Sequence, residues 1–310
     1  MLQGSRLFIF LLLVGVAVIS LLTFSRSVEE APTAFEDSFR AQYGIYALTQ
    51  PKALEFAGEE VPIWQQDIWE RYDRELLVNT YWQSSTMLMF KRANRWFPVI
   101  EPILEAHGVP DDFKYLALIE SGLMNVISPA GATGFWQILQ GTGRELGLEI
   151  DTHVDERYHV EKSTAAACRY LLDAFERFES WTLAAAAYNI GNSRLRRIME
   201  NQQADSYYDL FLNEETSRYM FRILAIKTIF SDPKASGFHF RDVDLYPPMQ
   251  YESITVNTTI GDLVEFAQSH HTTYKLLREY NPWLRGYELP NRSGKIYEIK
   301  LPTSDSEVFE

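Results

Sequence analysis

The 310-residue chain is 46% hydrophobic and 23% charged, an ordinary globular mixture that rules out a disordered protein and leaves room for one to three compact units. Its formal net charge of -13, with no basic run to displace phosphate counterions, argues against a nucleic-acid partner. The single cysteine, Cys168, cannot close an internal disulfide, so the count leaves the redox compartment open.

From Leu7 to Phe24 the chain carries no charged residue. As a helix this segment would be about 27 Å long, close to the hydrocarbon core of a bilayer. Arg6 precedes it, while Arg26 is followed by Glu29 and Glu30, a bias that puts the N-terminus in the cytoplasm and the bulk of the chain outside. A cleaved signal peptide is the alternative, although "SLLTFSRS" offers a poor cleavage site. Residues 1–27 are thus expected to be a membrane anchor or signal, and 28–90 a stalk and helical lead-in. From 91 to 235 helical periodicity dominates: Ala165, Cys168, Leu172 and Phe175 fall near one stripe, as do Met220, Ile223 and Leu224. Asn213 followed by two glutamates suits a helix start, and Asp232-Pro233 its stop. A linker (236–250) leads to a strand, helix, helix, strand pattern over 251–303, with Asn281-Pro282 breaking the second helix.

One carboxylate is out of place. Phe113, Leu116, Ala117 and Glu120 fall at i, i+3, i+4 and i+7, so a helix here would put Glu120 on its apolar face. Gly122 is a natural C-terminal cap, which sets Glu120 in the last turn, where unpaired carbonyls disfavour negative charge. Burial acts in the same direction. A carboxyl group that keeps its proton near neutral pH suits general-acid chemistry on a glycosidic oxygen. On periodicity alone, a snorkelling surface glutamate at a frayed helix end is the simpler reading.

The residues around Glu120 change that balance. "ESGLMNVISPAGATGFWQ", "AAAYNIG" and "NEETSRYMF" resemble, in order and spacing, the motifs of the lytic transglycosylases with a goose-lysozyme-like fold, in particular the membrane-bound lytic murein transglycosylase D type. The resemblance runs from about Phe97 to Phe230 and implies a mainly α, lysozyme-like catalytic domain. It implies that Glu120 is the catalytic acid and base and that Ser128 orients the glutamate or the substrate. It further implies that Gln137 lines the sugar cleft, that the Tyr188 hydroxyl bonds the catalytic carboxyl group, that Asn189 contacts the sugar, and that Tyr219 is a cleft residue. Leu139 and Gln140 stand where many members carry a Met-Pro step, so the cleft floor is expected to differ.

Residues 251–302 resemble a LysM module, an α+β unit of two helices on a two-stranded sheet that binds N-acetylglucosamine-containing chains; "IGDLVEFAQSH", "LLREYNPWL" and "YEIKLP" carry the likeness. A structural cap on the catalytic domain is the other reading. Together these imply an inner-membrane-anchored enzyme facing the periplasm whose partner is peptidoglycan, and which cuts between N-acetylmuramic acid and N-acetylglucosamine to leave 1,6-anhydro ends. A hydrolytic muramidase, which would need a second carboxylate, and a non-catalytic wall-binding scaffold are the rivals. Asp151, Asp155 and Glu156 are the nearest second carboxylates in sequence and are expected to be solvated loop charges. Trp136 reads as core, His153 and His159 lack metal-ligand spacing, and no cofactor is implied.

Overall fold

The computed structural model describes residues 44–303. The chain divides into two compact units between Leu48 and Thr49, and every helix and strand among the described residues belongs to the second. The segment 7–24, expected to span a bilayer, lies outside the described residues; among those, no helix is long and apolar enough to cross a membrane.

The second unit opens with a two-stranded hairpin, β1 (Glu55–Phe56) and β2 (Glu59–Glu60). Its turn places Ala57 and Gly58 at φ 53° and 81°, the left-handed pair that a two-residue hairpin requires. The hairpin is held to the helices behind it: the Ala57 amide donates to Asp112 Oδ2 at 2.6 Å, and Lys227 bridges Asp112 (2.7 Å) and Glu55.

Helices α1 (Gln66–Tyr81), α2 (Gln83–Ala106), α3 (Lys114–Ser121), α4 (Gln140–Glu145), α5 (Val160–Phe178), α6 (Trp181–Ile190), α7 (Asn192–Gln202) and α8 (Glu214–Ser231) form a helical domain. The longest, α2, contains Pro98 and Pro102, each of which removes an amide donor from the helix interior. α1 lies along α8, and α6 packs between α5 and α8. The start of α8 follows the sequence expectation: Asn213 Oδ1 accepts from the Thr216 amide at 2.9 Å, with Glu214 and Glu215 in the positive first turn. The face that α5 buries differs from the expected stripe, running through Val160, Thr164, Ala167, Cys168, Leu171 and Ala174. The small residues Ser163 to Cys168 in the middle of the helix can be buried on either side, so the run alone left the stripe about one residue out of place. Four alanines, Ala184 to Ala187, are fully buried in α6.

α6 is capped by its own Ser180, whose Oγ accepts from the Leu183 amide at 3.2 Å, and also from elsewhere in the chain. Glu59 on β2 accepts from the Ser180 hydroxyl (2.9 Å), the Thr182 amide (3.0 Å) and the Trp181 amide, satisfying donors that a helix start leaves open and placing a negative charge at the positive dipole end. Glu59→Ala is expected to lower stability by about 1–2 kcal/mol, and Glu59→Gln by less, because an acceptor oxygen remains. Urea midpoints check this, and equal midpoints for all three proteins would remove the capping role.

The C-terminal module follows the expected order: β3 (Tyr251–Val256), α9 (Leu263–Ser269), α10 (Tyr274–Tyr280) and β4 (Tyr297–Pro302). The strands pair antiparallel from Tyr251↔Pro302 to Val256↔Tyr297. Asp262 and Thr273 cap the two helices through their side-chain oxygens. Fully buried Asn281 ties the end of α10 to β4, donating to Lys300 O at 2.7 Å and accepting from the Lys300 amide at 2.8 Å. The module's core, built on Leu263, Ala267, Leu277, Trp283, Leu284 and Ile299, also takes in Val154 and Tyr158 from the helical domain. The two parts are thus joined by shared packing as well as by chain.

Candidate active site

α3 is buried on nearly all sides. Leu116, Ala117 and Leu118 are fully buried, and Tyr115, Ile119 and Ser121 almost so. Such an apolar surround is the mark of a core helix. Glu120 is the residue on this turn that opens onto space, and it is only partly buried. The helix ends where the sequence suggested: Gly122 takes a left-handed φ of 60°, and its amide donates to Leu118 O at 2.8 Å. Ser121 fixes the end, donating to Phe135 O at 2.8 Å. The carboxyl group is thereby held on a rigid element.

Glu120 faces a cavity of about 410 Å³ whose walls include Ser128, Gln137, Leu139, Tyr170, Tyr188, Asn189 and Glu215. Four of the six residues singled out in sequence line it together with Glu120. The sixth, Tyr219, is buried beside the carboxyl group and donates its hydroxyl to Glu120 Oε1 at 2.5 Å. Here the structure departs from expectation. Tyr188, expected to hold the carboxyl group, donates instead to Trp136 O at 2.7 Å, and its ring meets Tyr170 edge to face at 5.2 Å. Both tyrosines stand at helical positions that face the cavity region, so spacing could not say which hydroxyl reaches Glu120.

Burial is the first cause holding the Glu120 carboxyl above the ordinary glutamate range, and neighbouring Glu215 adds to it; the Tyr219 hydrogen bond and the Arg222 charge pull the other way. The Tyr188 and Tyr219 phenols are pushed well above their ordinary range, first by burial and then by Glu120. They therefore act as neutral donors. The result is a carboxyl group whose ionised form is less favoured than that of an exposed glutamate.

The loop from Val126 to Ile138 forms the opposite wall. Ser128 Oγ accepts from the Ala132 amide at 3.0 Å, and the backbones of the two residues also pair. Gln137 sits at a φ of 47°, and its Nε2 donates to Gly134 O (2.8 Å) and Val126 O (3.1 Å). Its amide hydrogens hold the loop, which leaves Oε1 for a ligand. Asn189 Oδ1 accepts from the Thr216 hydroxyl at 2.8 Å, which leaves its NH₂ for the cavity. Leu139, 48% exposed, lines the same cavity and gives the floor an apolar edge where the resemblance led one to expect Met-Pro. Trp136 is core, with its indole N–H on Thr164 Oγ1 at 2.8 Å.

The carboxylates expected to be solvated loop charges are not all so. Asp151 is exposed, but Asp155 and Glu156 are buried. Asp155 pairs with Nη2 and Nε of Arg157 (2.7 and 2.9 Å), whose Nη1 donates to both Gly131 O (3.1 Å) and Ile138 O (3.2 Å) on the cleft loop. Glu156 pairs with Lys162 at 2.5 Å. The sequence "DTHVDER" gives no sign of this, because burial comes from the loop and module packed against it. The carboxylate that does reach the cavity is Glu215. In sequence it reads as helix-dipole decoration, and only its place in the "ETSRY" element marked it.

A predominantly helical domain, in which a partly buried carboxyl group ends a core helix at the wall of a 410 Å³ cavity, is joined to a two-stranded, two-helix module. Residues 99–211 match the family model of the transglycosylase SLT domain, and residues 252–305 that of the soluble lytic transglycosylase C-terminal LysM-like domain. It is 30% identical over 159 residues to membrane-bound lytic murein transglycosylase D of Escherichia coli K12 and to the protein of that name from E. coli O6:H1. Those matches span 49% of this chain and 35% of each relative. Lytic transglycosylase Slt from Pseudomonas aeruginosa, whose X-ray structure is of an inactive mutant, aligns with 17% identity and a TM-score of 0.39, covering 54% of this chain and 33% of that one.

Proposed function

We propose that this chain is a lytic transglycosylase that cleaves peptidoglycan glycan strands. The observation that carries this reading is the Glu120 carboxyl group, held by Tyr219 at 2.5 Å at the edge of the 410 Å³ cavity. Glu120 gives its proton to the oxygen bridging N-acetylmuramic acid and N-acetylglucosamine as the C1–O bond breaks, which turns a poor alkoxide leaving group into an alcohol. The acetamido group of the muramic residue supports the developing cation. The carboxylate then takes the C6 hydroxyl proton while that oxygen bonds to C1, restoring the acid and closing a 1,6-anhydro ring. An intramolecular hydroxyl has a high effective concentration. Asn189 NH₂, Gln137 Oε1 and Ser128 position the sugars, and the module contributes a second hold on the strand. The chain would work in the bacterial cell envelope, anchored through residues 7–24 with its catalytic domain in the periplasm.

Glu215 favours a second reading, hydrolysis, because a carboxylate on the cavity wall could activate water. Mass analysis of digested sacculi separates the two. Anhydro-muramic ends are expected, and reducing ends would assign the chain to the muramidases.

A further inference from the structure

We propose that Arg222 is a positioning residue for the cleavage step: it closes off the C-terminal end of the helix that carries Glu120 and keeps a fixed positive charge beside the carboxyl group. The proposal rests on the reading of Glu120 as the acid. Arg222 and Tyr219 stand one turn apart on α8, so both reach toward the same end of α3. Tyr219 takes the Glu120 carboxyl group itself, and Arg222 Nη2 donates to the carbonyl of Ile119 at 2.9 Å. That carbonyl lies in the last turn of α3, where helix oxygens have no partner within the helix and together present negative charge. A guanidinium there removes an unsatisfied acceptor and opposes the helix-end field at the residue next to it.

A carboxyl group that is both acid and base has two opposing needs. It must hold a proton when the strand arrives, which burial favours, and it must exist as a carboxylate after giving that proton up. The surroundings of Glu120 supply both. From α8, Glu215 opposes ionisation, while Tyr219 and Arg222 favour it. From α6 comes Tyr188, and from α5 Tyr170 on the cavity wall. From α2, the Arg92 guanidinium approaches Gly122 and donates to Met124 Sδ at 3.3 Å. Arg92 therefore sits against the loop beyond the helix, and the cation bonded within the last turn is Arg222. Its neighbour Arg218 is engaged by buried Glu75 at 2.7 Å.

The test compares wild type, Arg222→Gln and Arg222→Lys on purified sacculi across pH, with thermal melts of each at the same pH values. Cleavage by a general acid falls as pH rises through its pKa. Losing the positive charge makes the carboxylate harder to form, so Arg222→Gln should carry its alkaline limb to higher pH. Its kcat should fall by about tenfold, a part of the roughly 10²–10⁴-fold that a complete general acid contributes. Arg222→Lys keeps the charge and should return the limb toward wild type even where stability is lower. The proposal is overturned if the Arg222→Gln limb stays in place while activity tracks the folded fraction, or if Arg222→Lys moves the limb as far as Arg222→Gln does. A wild type that cleaves nothing at any pH sinks the enzymatic reading first, and is distinguishable from both of these results.

Discussion

Glu120→Gln is expected to lower glycan-strand cleavage by about 10²–10⁴-fold, the span a general acid commands, without a matching loss of stability. The amide has the carboxyl group's shape, and its Oε1 can still accept from the Tyr219 hydroxyl that now lies at 2.5 Å. It cannot release a proton at the acidity the leaving oxygen needs. Because burial pushes the wild-type group upward, its ionised form gains less from the folded surroundings than an exposed carboxylate would. The exchange therefore removes little ionic stabilisation, and the melting temperature should not fall. Release of soluble muropeptides from sacculi, read beside a thermal melt, checks both halves. Near-normal release by a folded Glu120→Gln protein would take the acid role away from this residue; absence of release in wild type as well would favour the wall-binding scaffold.

Arg157→Ala is expected to destabilise the domain strongly, costing about 3–5 kcal/mol. Arg157 and Asp155 are each only 10% exposed. Truncating the arginine leaves a buried carboxylate without its partner, a larger penalty than the pair's own net worth. The same change frees Gly131 O and Ile138 O, two of the points at which the cleft loop is held. Cleavage by the remaining folded molecules should therefore weaken too. Denaturant unfolding checks the stability loss, and a midpoint shift no larger than that of a surface substitution would show that the buried pair is dispensable.

Much of this arrangement is legible in the sequence, for reasons that differ by element. The end of α3 could be read because Gly122 has a backbone requirement of its own, and the start of α8 because Asn213 and two glutamates follow local capping chemistry. The module's order could be read from the switch between period-two and helical patterning. What could not be read depends on contacts between distant parts of the chain. No local rule connects Glu59 with the start of α6, 121 residues away, or buries Asp155 and Glu156. Tyr219 takes the partner expected of Tyr188 because a hydroxyl's destination depends on how α6 and α8 lie against α3. Glu215 reaches the cavity for the same reason.

The alanines of α6 restrict how such a cleft can diversify. With Ala184 to Ala187 at zero exposure, the helix that delivers Tyr188 and Asn189 has no slack on its inner side, and any larger side chain there would displace it bodily. Lineages that come to accept a different strand chemistry therefore have to do so by rewriting the wall at Ser128, Gln137 and Leu139, whose side chains border open space. Adaptation is channelled to one bank of the cleft while the other stays frozen.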